Sequence, residues 1–441
     1  MELRESIRHT PHKGEEKTDL PGWIHKWFDH PDTRPEVPAV KLKLTIISGP
    51  HQGKEFVFDG HDTFLVGRAK DAHFQLSYDD PYFSRRHFLV EMNPPRCRLI
   101  NLSSRNGTHL NGARVDSAEV ADGDEIGAGH TVFKVRLIPS DPDELDTLDL
   151  PVASNSGDKT SNYQPPLCII PGYRLEGELG RGGMGVVYRA TRERDGIPVA
   201  IKTITPAPGA NQKQIDRFLR EANILSQLNH VHIVSFQDVG EASGLIYLAM
   251  DLVQGSDLGA RLREGGAEDV RTAVRIACQM LDGLAHAHDK GFVHRDIKPS
   301  NVLIGLVGSK RISKLADFGL ARVYEASRIS GLTLNGEVGG TPAYMAPEQV
   351  THYREVRPAA DQYSAASTLY KMLTNQYTHD LPKDLGAQLG HIIMTDPVPI
   401  TDRRPDVPPN LAEVIHKALS RDPQARYPNV RAFRQELKRF A

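Results

Sequence analysis

The sequence predicts a multidomain chain: an N-terminal all-β sandwich, then an α+β region in which strands come first and helices follow. Three observations predict it. Between residues 40 and 138 short apolar runs alternate at period two and are broken by Gly-containing turns, the pattern of half-buried strands. Beyond residue 171 a few strand-like runs give way to apolar residues at helical spacing, which continue to the end of the sequence. And 441 residues exceed what one hydrophobic core ordinarily serves.

Composition narrows the class. Charged residues make up 25% and hydrophobic ones 39%, with a formal net charge of −2, which describes a soluble globular protein and argues against a nucleic-acid partner. Cys97, Cys168 and Cys278 are far apart and lack metal-ligand spacing, so a disulfide framework is not expected and a reducing compartment is. No run reaches the eighteen or so apolar residues of a membrane span, and the charged, Pro-containing N-terminus lacks a signal-peptide core. The expectation is a cytoplasmic protein without a membrane span.

Residues 1–39 read as a polar, Pro-rich extension in which Trp23 and Trp27 share one helical face, either docking on the next domain or meeting a partner or a membrane surface. From residue 40 the runs Lys41-Leu42-Lys43-Leu44-Thr45-Ile46, Phe56-Val57-Phe58, Phe64-Leu65-Val66, His87-Phe88-Leu89-Val90 and Thr131-Val132-Phe133-Lys134-Val135 predict strands. Gly49-Pro50, Asn106-Gly107, Asn111-Gly112 and Asp122-Gly123 between them supply the positive φ of tight turns. A sandwich of about a hundred residues follows.

On that sandwich Gly67-Arg68, Ser84-Arg85-Arg86-His87, Asn106-Gly107-Thr108 and Asn111-Gly112 occur in the order and spacing of a forkhead-associated (FHA) domain, which residues 40–138 resemble. The resemblance implies binding of phosphothreonine peptides. Arg68 offers a planar guanidinium to phosphate oxygens and Ser84 a hydroxyl donor. Asn106 would hold the peptide backbone, Arg85 would add a phosphate contact, and His87 would support the loop without touching ligand. Arg105 stands where that family often has Thr or Ser.

Residues 139–170, rich in Asp, Pro, Ser and Gly with almost no apolar periodicity, read as a disordered linker carrying Thr147 and Thr160.

The region 171–441 holds the chemistry. The string His294-Arg295-Asp296-Ile297-Lys298-Pro299-Ser300-Asn301 is followed, sixteen residues after Asn301, by Asp317-Phe318-Gly319. Phosphoryl transfer needs a carboxylate to orient a substrate hydroxyl, and an amide and a second carboxylate for Mg²⁺; Asp296, Asn301 and Asp317 fit those roles. Upstream, Leu179-Gly180-Arg181-Gly182-Gly183-Met184-Gly185-Val186-Val187 is a Gly-rich turn followed by a strand rather than a helix, which favours a phosphate-covering hairpin over a dinucleotide fold. Lys202, on the strand Val199-Ala200-Ile201-Lys202, is the cation for the α- and β-phosphates. Apolar residues at Ile215, Phe218, Leu219, Ala222 and Leu225 predict a helix over 214–228 that carries Glu221 to pair with Lys202. The buried strand 245–250 ends in Met250, the gatekeeper, before a hinge for adenine at 251–253. A long amphipathic helix over 270–288 begins the helical part, and further helices carry Asp361, Tyr370 and Leu373, and then Val430, Phe433, Leu437 and Phe440.

Together these motifs resemble a eukaryotic-type protein kinase, with the texture of the bacterial Ser/Thr group. The resemblance implies a two-lobed fold, ATP and Mg²⁺, with Ala200, Met250 and Leu303 added to the nucleotide site. It assigns Asp296, Lys298, Lys202 and Glu221 to catalysis and Asn301 and Asp317 to the metal. Lys298, and Thr341 ahead of Pro342, match Ser/Thr kinases; Ala346-Pro347-Glu348 closes the activation segment, Glu348 pairing with Arg426. Arg295 and Thr333 are the regulatory candidates, a phosphate on Thr333 pairing with Arg295. The expected partners are protein substrates with Ser or Thr and phosphothreonine peptides, drawn from this chain's linker or activation loop or from other proteins. The alternative is a pseudokinase scaffold that binds nucleotide and phosphopeptides without turnover.

Overall fold

The computed structural model describes residues 40–59, 62–76, 80–93, 96–102, 104–139, 169–182, 185–206, 212–307, 310–318, 342–352 and 356–441. The expectations for Trp23, Trp27, Thr147, Thr160, Gly183, Met184, Thr333 and Thr341, and for a disordered linker, lie outside the described residues.

Eleven strands build the N-terminal sandwich: β1 (Val40–Ser48), β2 (Glu55–Asp59), β3 (Asp62–Gly67), β4 (Phe74–Gln75), β5 (Phe88–Asn93), β6 (Arg96–Asn101), β7 (Thr108–Leu110), β8 (Ala113–Val115), β9 (Ser117–Glu119), β10 (Glu125–Ala128) and β11 (Thr131–Pro139). One sheet runs β2-β1-β11-β10-β7-β8 and the other β4-β3-β5-β6-β9. The period-two residues fill the space between them: Leu42, Leu44, Phe58, Val66, Phe88, Leu99, Phe133 and Val135 are fully buried there. Asn111 and Gly112, both at positive φ, close the two-residue turn between β7 and β8, where the register pairs Leu110 with Ala113. Strands β4 and β6–β10 carried no clear alternation. Most of them are only two to four residues long, too short for a period to register.

The kinase-like region opens with β12 (Tyr173–Gly182), β13 (Gly185–Arg192), β14 (Pro198–Ile204), β15 (Phe236–Ala242) and β16 (Leu245–Asp251), an antiparallel sheet in the order β12-β13-β14-β16-β15. Helix α1 (Gln212–Asn223) stands beside β15. It stops five residues short of the expected end, and Ile224–Gln227 forms a 3₁₀ turn. Ser226 Oγ bonds the Asn223 carbonyl at 2.7 Å, a local alternative to continuing the α-helix.

The second lobe is helical: α2 (Leu258–Gly265), α3 (Val270–Asp289), α4 (Pro347–Thr351), α5 (Pro358–Thr374), α6 (Leu385–Met394), α7 (Ile400–Arg403), α8 (Pro409–Ala418) and α9 (Val430–Leu437). A small sheet, β17 (Gly255–Asp257), β18 (Val302–Val307) and β19 (Lys310–Leu315), lies with them. Helix starts are written in the sequence as side-chain caps: Asp257 accepts from Ala260 N, Asp269 from Thr272 N, Asp384 from Ala387 N and Asn429 from Ala432 N. Helix α5 is buried on all sides, with Tyr363, Ala366 and Tyr370 at 1% exposure or less, so it forms the axis on which α3, α8 and α9 pack. Arg426 holds Glu348 in a two-point pair at 2.6 and 2.9 Å, as expected. Among the described residues no helix is long and apolar enough to cross a membrane.

Candidate functional site

The catalytic string lies in the loop between α3 and β18. Its shape is imposed by Asp361 on α5, fully buried, whose carboxylate accepts from His294 N, Arg295 N and His288 Nε2, each at 2.8 Å. Burial alone would raise its pKa, but the His288 hydrogen bond and the neighbouring imidazoles outweigh that and hold it below the usual carboxylate range. These bonds keep Arg295 at φ +68°, a left-handed conformation that turns the chain just before Asp296. His294 Nδ1 accepts from Asp296 N at 3.3 Å and Nε2 donates to the Ala316 carbonyl at 3.0 Å, tying the loop to the residue before Asp317.

Within this frame Asp296, Lys298 and Asn301 meet. Asn301 Nδ2 donates to the Asp296 carbonyl at 2.8 Å and to its Oδ2 at 2.9 Å, and Lys298 Nζ lies 2.9 Å from the same oxygen. The Asp296 side chain keeps 43% of its surface exposed, so a hydroxyl from solution can reach it. Asp317, at φ +58°, turns its carboxylate to Lys202 Nζ at 2.8 Å. Burial opposes ionisation there, but the Lys202 ammonium prevails and lowers the Asp317 pKa. Phe318 points the other way, its ring 4.4 Å from that of His294.

The register of the first-lobe sheet brings together the residues expected to hold a nucleotide. Lys202 pairs with Val187 and Leu248, and Ala200 pairs with Met250, so Val187, Ala200, Lys202 and Met250 share one face. Behind Met250 a small cavity is lined by Leu228, Leu248, Asp317 and Phe318, linking that strand to Asp317. Gly180, Arg181, Gly182, Gly185 and Val186 lie on the β12–β13 hairpin, with Leu179 half-exposed and Arg181 paired with Glu178 at 2.7 Å. Leu303 lies half-buried on β18. Glu221 is on α1, but its side chain, expected to meet Lys202, lies outside the described residues.

The second candidate site is formed by loops at one end of the sandwich. Arg68 follows β3 and its N–H donates to Ser84 O at 3.3 Å; a Cβ on Gly67 would stand 2.1 Å from the Arg85 carbonyl, so only glycine allows these segments to meet. His87 is fully buried: its Nδ1 accepts from Ser84 N at 3.0 Å, leaving Nε2–H to donate to Gly107 O at 3.1 Å, which joins the Ser84 and Asn106 loops. Asn106 is exposed and donates to the Tyr82 carbonyl at 2.8 Å, and Arg85 is exposed. Two supports went unnoticed in the sequence. Asp80, fully buried, accepts from Tyr82 N, His130 N and Thr131 Oγ1, and Asn101 Oδ1 accepts from Ser104 and Thr108 hydroxyls. Tyr82 and Ser104 are local partners, but His130 and Thr131 lie fifty and fifty-one residues from Asp80, and that joining of segments leaves no local pattern.

Burial pushes the His87 imidazole down to about 4, while the unfolded residue titrates near 6.5. Below pH 6.5 the unfolded chain therefore binds a proton the folded one refuses, and stability falls as pH drops towards 4. The expected loss across that window is about 3 kcal/mol and is absent in His87→Asn. Hydrogen exchange of the β5 amides against pH, wild type beside variant, measures it; parallel curves would refute the neutral buried histidine.

The family model for the protein kinase domain matches residues 173–437, more than half of the chain, and that for the FHA domain matches residues 64–129. The chain belongs to the protein kinase family, with an FHA domain ahead of its kinase domain. It is 34% identical over 271 residues to serine/threonine-protein kinase pkn3 of Myxococcus xanthus, covering 60% of this chain and 49% of that protein. It is 38% identical over 257 residues to serine/threonine-protein kinase PknD of Mycobacterium tuberculosis, covering 58% and 37%. Among solved structures, the Mycobacterium tuberculosis PknI kinase domain matches with a TM-score of 0.49 at 27% identity, over 62% of this chain and 98% of that one. The chain spans about half or less of the length of both curated relatives.

Proposed function

We propose that this chain is an ATP-dependent Ser/Thr protein kinase that transfers the γ-phosphate of ATP to protein hydroxyls, and that its FHA domain binds phosphothreonine peptides. The observation that carries the reading is the pair of carboxylates in one cleft, Asp296 held by Asn301 and Lys298, and Asp317 held by Lys202. Asp296 orients the incoming hydroxyl and accepts its proton, Lys298 steadies the transferring phosphoryl, and Lys202 places an ammonium on the α- and β-phosphates.

The donor set fits Mg²⁺. Asp317 and Asn301 offer hard oxygens, and such a site needs only one or two carboxylates because phosphate and water oxygens complete it. Mg²⁺ bound there supplies charge neutralisation for the phosphate oxygens. The Gly-rich hairpin covers the phosphates with backbone amides, and Ala200, Met250 and Leu303 bound the adenine. A cytoplasmic location belongs to the same reading, since Cys97 and Cys278 are buried free thiols. A phosphate on Thr333 is the proposed regulator, pairing with Arg295 beside Asp296.

Full-length protein incubated with ATP and Mg²⁺ should acquire phosphate on Ser and Thr, Thr333 among them, read by mass spectrometry. It should bind phosphothreonine peptides and ignore their unphosphorylated forms, and Arg68→Ala should weaken that binding by about 2 kcal/mol, or thirtyfold. No phosphate gain would reject the kinase reading, and peptide binding that survives Arg68→Ala would reject the phosphate-reading role.

A further inference from the structure

Along β3, β5 and β6 the residues Val66, Phe88, Val90 and Leu99 face the sandwich interior, so Leu65, Leu89 and Ile100 face the other side. The register pairs Leu65 with Leu89 and Leu89 with Ile100, which sets them in one row across three strands. An antiparallel sandwich standing free carries polar residues on such a face. Here all three are fully buried, packed with Leu389, Ile392 and Ile393 of α6 and Val350 of α4.

The helix is shaped for this contact. Gly386 and Gly390 lie one turn apart on α6; a Cβ at 386 would stand 2.0 Å from the Asn101 carbonyl oxygen, and one at 390 would stand 3.3 Å from that of Leu102. Polar contacts extend the seam into the phosphothreonine loop. Arg86, next to Arg85, donates to the Ile393 carbonyl at 3.3 Å and pairs with Asp71, and the His73 and His352 rings lie 4.5 Å apart. On the kinase side the seam reaches the catalytic loop, because Gln349, beside Val350 on α4, donates to the Arg295 carbonyl at 2.8 Å.

We propose that the β3-β5-β6 face is a docking surface for this chain's own α4 and α6, which fixes the phosphothreonine loop at one place beside the catalytic lobe and selects substrates already carrying a phosphothreonine at a set separation from the hydroxyl to be phosphorylated. The substrate class rests on the function proposed above; the docking does not. A module on a loose tether raises the local concentration of any bound peptide, with an effect that declines smoothly as the spacer lengthens. A docked module excludes spacers too short to reach from Arg68 to Asp296, favours those that match that span and declines beyond it.

The test uses full-length protein and peptides bearing one phosphothreonine and one acceptor serine, joined by Gly/Ser spacers of graded length, each beside its unphosphorylated twin. Wild type should phosphorylate the primed peptides about tenfold or more faster than their twins at low concentration, within a limited window of spacer lengths. Gly386→Leu and Leu89→Glu should keep the rate on unprimed peptides but replace the window with a smooth decline, and small-angle scattering should show a larger radius of gyration for both. No window in wild type, or variants that keep both window and radius, overturns the proposal. So does a scattering mass of two chains in wild type that falls to one in the variants, since the face would then be covered by a second copy. Absence of turnover on primed and unprimed peptides alike counts against the kinase reading alone, and the radius of gyration still decides the docking.

Discussion

Lys202→Met and Asp317→Asn are each expected to slow phosphoryl transfer by about a hundred- to a thousandfold, because the first removes the ammonium proposed to meet the α- and β-phosphates and the second the carboxylate proposed to hold Mg²⁺. The two groups now neutralise one another at 2.8 Å, so each variant also disturbs its partner. In Lys202→Met the Asp317 carboxylate loses the ammonium that lowers its pKa and must meet the cost of burial without it. In Asp317→Asn the cleft gains a net positive charge and loses a hard oxygen donor. The Asp317 side chain retains 31% of its surface in contact with solvent, which moderates the effect on stability, and the melting temperature should move by only a few degrees. Because both residues serve one centre, the double variant should be little slower than the worse single one. Single-turnover transfer from labelled ATP to a protein substrate, at matched folded fraction, reads all three. A single variant within a few-fold of wild type would remove the assigned roles.

Asp361→Ala should act through the fold and the site together. The change strips the acceptor from one buried and one part-buried backbone N–H and from His288, and about 3–5 kcal/mol of stability should go with it. Asp361→Asn rescues little, since an amide offers one acceptor oxygen where two are used. Arg295 would also lose the bond that holds it at φ +68°, and a shift of about 1 Å in Asp296 can cost about a hundredfold in rate. The carboxylate's contribution is present above the unfolded pKa of about 4 and is lost as pH falls below it, since the folded pKa lies lower. Denaturant unfolding with hydrogen exchange at residues 294–296 measures the first effect and turnover of the remaining folded protein the second. Wild-type stability, or 294–296 amides as protected as in wild type, would contradict the account, as would wild-type turnover.

Local patterns were legible before any coordinates. The string around Asp296 and the Asp317-Phe318 pair carry chemistry in the residue order itself, and the structure places Asn301, Lys298 and Lys202 against them. The alternation that predicts a sandwich holds along β1 and β11, where buried residues alternate with half-exposed ones. His87 was read as a loop support, and the bonds to Ser84 N and Gly107 O show how it works.

Asp361 marks the limit of such reading. Its pattern shows only a residue carried on a helix, whereas its carboxylate is the acceptor that shapes a loop 66 and 67 residues earlier in the chain. A bond between distant residues leaves no period, cap or turn in the sequence. Leu65, Leu89 and Ile100 pose the same difficulty. In short strands apolar on both faces, a residue that packs inside a sandwich and one that meets another domain are written alike, and the partners on α6, Leu389, Ile392 and Ile393, lie far away in the sequence. The sequence alone determined the two folds and the identity of the chemical groups, because strand alternation, helix caps and motif spacing act over a few residues. Tertiary structure alone decided which carboxylate disciplines the catalytic loop and which face of the sandwich is covered, because both depend on packing between segments that only the folded chain brings together.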